Sequence, residues 1–118
     1  MNYLGSSTLT AQIPIAHGLM ISGESLKKIC QHWQIVELSL FGSILREDFN
    51  VDSDIDVLVE FAAAARITFF DLDVIEQQLS QLFNRPVDVV TKPAIQQSHN
   101  PIRRQNILAN SKVIYEQR

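Results

Sequence analysis

Gly42-Ser43 and the pair Asp54 and Asp56 are the residues of this chain whose types and spacing could do chemistry; ten residues separate Ser43 from Asp54. The Gly-Ser pair follows an apolar run, Val36, Leu38 and Leu40. It suits a tight turn whose backbone N–H groups can face a phosphate. The acidic pair opens a second run in which Ile55, Val57, Val59 and Phe61 alternate with Asp54, Asp56, Leu58 and Glu60. On a strand this alternation places Asp54 and Asp56 on one face, with Cα atoms roughly 7 Å apart. Like charges so placed raise the pKa of at least one of the two. A hard cation relieves them, and magnesium commonly divides its oxygen ligands among one or two carboxylates, substrate phosphates and water. If the two strands are antiparallel neighbours, the turn at Gly42-Ser43 and the carboxylates share one edge.

The remaining elements must hold that edge. Ser22 is a plausible N-cap for a first helix, with Leu26, Ile29, Cys30 and Trp33 at helical spacing. Ile35 to Phe41 reads as the first strand, Ser43 to about Glu47 as the start of a short helix, and Asp54 to Phe61 as the second strand. Ala62 to Ala65 is a connector. Thr68 with Asp71 gives a capping-box signal for a second helix, whose stripe is Leu72, Ile75, Leu79, Leu82 and Phe83. Asn84-Arg85-Pro86 ends it. In the third strand, Val87 to Thr91, Asp88 faces away from Val87 and Val89 and calls for a metal or a local cation such as Arg85. Pro93 to Pro101 is polar. Pro101 suits the first turn of a last helix, with either Ile102, Asn106 and Ala109 or Ile107 and Leu108 inward. Val113 to Tyr115 is a further strand or a packed tail.

Residues 1–21 show no period and contain Gly5, Pro14 and Gly18, which reads as an irregular N-terminal arm before a domain over 22–118. His17, His32 and His99 have no second ligand at metal-binding spacing and read as packing or surface residues. The expected class is α+β, a small mixed sheet with helices packed on one face and the acidic site at an exposed strand edge.

Composition narrows the function classes. At 118 residues the chain has room for one core. A formal net charge of −3 argues against broad capture of nucleic acid. Acidic residues crowd Glu47 to Asp56, while Lys92, Arg103, Arg104, Lys112 and Arg118 stand in the last quarter. An acidic site with a basic tail suits a nucleoside triphosphate, although surface coverage alone explains many such charges. The single cysteine, Cys30, excludes an intramolecular disulfide and argues against a cysteine-based zinc site. No stretch has the length of a membrane span, and no secretion signal opens the chain, so a cytoplasmic protein without a membrane partner is expected.

Gly42-Ser43, ten residues, then Asp54-Ile55-Asp56 resembles the G-S-x(10)-D-x-D signature of DNA polymerase β-like nucleotidyltransferases, and the short length resembles their minimal nucleotidyltransferase branch, which includes antitoxins paired with HEPN toxins. The resemblance runs from about Ser22 to the C-terminus. Many members read G-S-x-A-R-G where this chain has Gly42-Ser43-Ile44-Leu45-Arg46-Glu47. It implies that Asp88 is a third metal-ligand carboxylate and that Asp54, Asp56 and Asp88 hold two magnesium ions. It further implies AMP transfer from ATP, with Gly42 and Ser43 on the phosphates. Arg46 is then placed against the leaving pyrophosphate, with a surface pair to Glu47 or Asp52 as its alternative. The acceptor implied is a hydroxyl, expected to be a tyrosine, on a HEPN ribonuclease toxin in a hetero-oligomer. Two alternatives stand: a nucleotidyltransferase acting alone on a small molecule, and an antitoxin that neutralises by binding only.

Overall fold

A computed structural model describes residues 12–117. In chain order the elements are β1 (Gln12–Pro14), β2 (Met20–Ser22), α1 (Gly23–His32), β3 (Ile35–Phe41), a 3-10 turn (Gly42–Leu45), β4 (Ile55–Phe61), α2 (Phe69–Phe83), β5 (Val87–Thr91), α3 (Lys92–Gln96), α4 (Pro101–Asn110) and β6 (Lys112–Glu116). β1 and β2 pair as a separate hairpin, and the main sheet has the order β5-β4-β3-β6. β3 runs antiparallel to β4 and β6, while β4 and β5 are parallel. The sheet is therefore mixed, as expected. A parallel pair needs a crossover, and α2 supplies it.

Local chemistry sets the helix boundaries. The Ser22 hydroxyl accepts the Ser25 N–H at the start of α1. Thr68 and Asp71 form the reciprocal capping box of α2, each side chain accepting the other's backbone N–H. Such caps are worth about 1 kcal/mol each. α2 stops at Asn84, whose backbone is left-handed at φ 57.

The two faces of the sheet carry different cores. Leu38, Leu40, Ile55, Val57 and Val59 pack against Leu26 and Cys30 of α1 and Ile75, Leu79 and Phe83 of α2. Truncating a fully buried member such as Leu79 to alanine costs about 2–5 kcal/mol. On the other face Phe41 and Leu58 meet Ile95 of α3 and Ile107 of α4. The expectation of helices on one face thus holds for α1 and α2, whereas α3 and α4 cover part of the second. The stretch from Pro93 read as polar contains α3: Thr91 caps it by accepting the Ala94 N–H, Pro93 sits in its first turn and Ile95 is buried.

The segment 12–22 also differs from the irregular arm expected over 1–21. It is a hairpin that buries Ile15 and Ile21 in the first core, with His17 (φ 54) and Gly18 (φ 78) in its turn. Residues 1–11 of that arm lie outside the described residues. At the sheet edge, α2 side chains take the outward donors of β5: Val87 N–H donates to Ser80 Oγ (3.0 Å) and Val89 N–H to Glu76 Oε2 (2.8 Å). Among the described residues no helix is long and apolar enough to cross a membrane.

Candidate active site

Strand register brings the acidic residues together. Phe41 at the end of β3 pairs with Asp56 of β4, and Asp56 pairs with Asp88 of β5. Residues directly opposite in neighbouring strands share a face. Asp56 and Asp88 therefore stand side by side on the face that carries Phe41, Leu58, α3 and α4. Asp54 lies one residue before β4.

Gly42 follows Phe41 directly. Its φ of 77 is a conformation that favours glycine, and a Cβ there would sit 2.5 Å from Asp56 Oδ2. The turn and the carboxylate are thus in contact. The 3-10 turn that opens at Gly42 has no side-chain cap at its N-terminus. Ser43 is half-buried beside it.

Electrostatics single out Asp56. Burial raises its carboxyl above the usual range, Asp88 and Asp54 raise it further, and Arg103 and Arg46 pull it back. Three carboxylates and two guanidinium groups therefore act on one point. The first cause is the position of Asp56 inside the sheet, whereas Asp54 and Asp88 are exposed. Beside it opens a cleft of about 1110 Å³, lined by Gly42, Ser43, Arg46 and Asp56 on one wall and by Arg103 and Asn106 of α4 on the other.

The other expectations fare differently. Arg46 pairs with Asp48, Nε to Oδ1 at 3.1 Å, in place of Glu47 or Asp52, and both side chains are well exposed. A pair so exposed contributes little to stability, which leaves Arg46 available to the cleft it lines. Arg85 is not the cation of Asp88. Its Nη1 donates to the Asn50 and Ser53 carbonyls (3.0 and 2.9 Å), and its guanidinium lies over the Phe49 ring. Asp88 is exposed, so the cost expected for a buried aspartate does not arise.

The donors at this edge are all carboxylate oxygens, the chemistry of a hard cation, and the raised Asp56 marks a place where positive charge would be stabilising. Among the described residues no three His, Cys, Asp or Glu side chains are already grouped as ion ligands. The arrangement fits an ion that completes its shell with phosphate oxygens and water.

Arg103, one of the basic residues of the last quarter, lines the cleft and acts on Asp56. Asn106 and Asn110 line the same cleft. The signal was present in the spacing: residues 103, 106 and 110 form one polar stripe of a helix. Of the two inward faces considered for this helix, Ile107 is buried while Ile102 is 71% exposed.

The sequence matches the family described as Nucleotidyltransferase domain over residues 23–114. A protein of Methanocaldococcus jannaschii, provisionally named a protein adenylyltransferase, is 34% identical over 82 residues, which cover 69% of this chain and 79% of that one. Among solved structures, one described provisionally as a minimal nucleotidyltransferase superposes with a TM-score of 0.57 at 27% identity, covering 77% of this chain and 85% of the other. A toxin–antitoxin crystal structure with AMP-PNP superposes with a TM-score of 0.60 at 19% identity, covering 80% and 73%, a likeness of fold. Family match, relative and fold point the same way, and the chain belongs to the nucleotidyltransferase domain family.

Proposed function

We propose that this nucleotidyltransferase transfers AMP from ATP to a hydroxyl side chain, a tyrosine, of a partner HEPN ribonuclease toxin and thereby silences it. The observation that carries the reading is the contact of the Gly42 turn with Asp56, on which Asp54 and Asp88 also bear. Support for the substrate and acceptor comes from the relative named as a protein adenylyltransferase and the fold neighbour crystallised as a toxin–antitoxin with AMP-PNP.

In this reading Ser43 and the N–H groups around Gly42 hold the terminal phosphates. Asp54, Asp56 and Asp88 would hold two magnesium ions, which when bound offset triphosphate charge and acidify the acceptor hydroxyl. The hydroxyl oxygen bonds to the α-phosphorus as that atom's bond to the bridging oxygen breaks. Pyrophosphate leaves with the electron pair, and Asp88 takes the hydroxyl proton. Arg46 and Arg103 offset charge on the leaving group. A partner suits the acceptor because a docked surface would exclude water from a cleft that, among the described residues, stands open at exposed Ile102.

The test is to incubate the protein with α-labelled ATP, magnesium and a partner ribonuclease. Label on a tyrosine of the partner, loss of its ribonuclease activity, and neither effect with Asp54→Asn/Asp56→Asn are expected. Neutralisation that persists undiminished in that double variant with no label on the partner would make the protein a binding-only antitoxin.

A further inference from the structure

The loop between the turn and the carboxylates, residues 46–54, is held internally by short-range bonds. Arg46 N–H donates to Ser43 O, Ser53 N–H to Asn50 O, Asn50 N–H to Ser53 Oγ and Asp52 N–H to Asn50 Oδ1. Most of its side chains are exposed; Phe49 and Ser53 are half-buried, and Phe49 packs on the core. Local turns of this kind fix the shape of a loop, while its position on the domain depends on ties from elsewhere.

Two such ties come from distant parts of the chain and meet on Phe49. From the β1–β2 hairpin, the His17 ring stacks on Phe49 with centroids 4.8 Å apart and planes 26° apart. His17 Nε2 also lies 2.9 Å from the Ile44 carbonyl inside the 3-10 turn; a carbonyl only accepts, so Nε2 carries the hydrogen. From the end of α2, Arg85 lies over the same ring with its guanidinium carbon 4.5 Å from the centroid. Its Nη1 also grips the carbonyls of Asn50 and Ser53, immediately before Asp54. Adjacent Pro86 accepts the Ile55 N–H at 2.9 Å and adds a backbone tie at the same place. The hairpin turn thus reaches the phosphate-side end of the loop, and the α2 terminus reaches the carboxylate-side end. Phe49 joins them.

We propose that His17, Phe49 and Arg85 form a clamp of positioning residues that fixes the Gly42-Ser43 turn and Asp54 relative to each other, with His17 serving the nucleotide end and Arg85 the metal end. The inference rests on the nucleotidyl transfer proposed above. Small misplacements of reacting groups cost large factors in rate, so a loop whose two ends both carry site residues needs such bracing. The backbone at His17 is left-handed, a state that asparagine also tolerates. His17→Asn therefore removes the ring while meeting the demand of the turn.

Four variants, His17→Asn, Phe49→Leu, Phe49→Tyr and Arg85→Gln, are compared with the wild type by three measurements. These are amide exchange over residues 43–54 on the protein alone, AMP-PNP affinity with magnesium, and transfer kinetics with the partner toxin. His17→Asn is expected to raise the KM for ATP by about tenfold with a smaller change in the magnesium requirement. Arg85→Gln is expected to do the reverse, and Phe49→Leu to do both. Phe49→Tyr, which keeps the ring, should stay within about twofold of the wild type. Exchange over 43–54 should quicken in His17→Asn, Arg85→Gln and Phe49→Leu, with melting still cooperative. Wild-type exchange and AMP-PNP affinity in folded His17→Asn and Phe49→Leu would overturn the clamp. If the wild type itself transfers nothing to its partner, the transfer reading fails separately, and exchange with AMP-PNP affinity still decides the clamp.

Discussion

Gly42 and Asp56 face each other across the β3–β4 junction with no room for a side chain at 42, since a Cβ there would meet Asp56 Oδ2 at 2.5 Å. Gly42→Ala should therefore act on chemistry more than on folding. The Asp56 carboxylate can rotate away, and the residual cost is the φ of 77, about 1–2 kcal/mol for a residue with a Cβ. A fall in melting temperature of about 4–8 °C is expected, with transfer reduced at least ~100-fold because the displaced group is Asp56. Parallel losses of activity and folded fraction would show that Gly42 serves the turn alone.

Asp56→Asn should abolish transfer and stabilise the protein free of metal. The Asp56 carboxyl is raised in the folded state, by burial first and by Asp88 and Asp54 next. A raised acid contributes stability that is present at low pH and is lost as pH rises through its folded pKa. At neutral pH its charge is thus a cost that asparagine removes. Melting in a chelator at pH 7 should shift upward, and the gain should shrink as pH falls through the carboxylate range. A lower melting temperature at pH 7 would contradict this account.

Arg103→Gln should weaken ATP binding while leaving the fold intact. Arg103 is exposed on α4 and pulls the Asp56 carboxyl down, so its charge bears on the cleft without supporting the core. The expected readout is a rise of about tenfold in the KM for ATP at low salt, narrowing as salt screens the contribution. A salt-independent effect would place the role of Arg103 elsewhere.

Cys30 should be inert in the folded protein. It is fully buried, and burial pushes its thiol up to about 12. The thiolate is the reactive form, so iodoacetamide at pH 8 should label Cys30 only after denaturation. Its linkage has the same sign as that of Asp56 but falls at alkaline pH: stability is intact below the unfolded thiol pKa and declines as pH rises from there to about 12. Rapid labelling under native conditions would show that α1 opens readily.

The parts of this fold that sequence reveals are those in which one residue's environment repeats at a regular period. Ile55, Val57 and Val59 alternate with Asp56 and Leu58, so both the strand and the face of its carboxylate can be read without a partner. The capping box at Thr68 and Asp71 is legible for a similar local reason. α3 is five residues long, too short to show a period, and announces itself only through Thr91 and Pro93. The hairpin over 12–22 has three-residue strands, and its burial of Ile15 and Ile21 depends on helices that come later in the chain. Arg85 is the clearest miss, because its neighbour in sequence, Asp88, is the obvious ion partner, whereas its contacts lie at Phe49, Asn50 and Ser53 more than 30 residues away. Charge complementarity read along a chain favours near residues, while folding decides by reach.

The hydrogen bonds from Val87 and Val89 to Ser80 and Glu76 bear on how this protein behaves in a crowded solution. A sheet edge with free donors is a template on which another chain can add a strand, the first step of many aggregates. Here the donors at 87 and 89 are occupied by the helix that precedes the strand. The β5 edge, on which Asp88 stands exposed, is therefore closed to strand addition at those two positions.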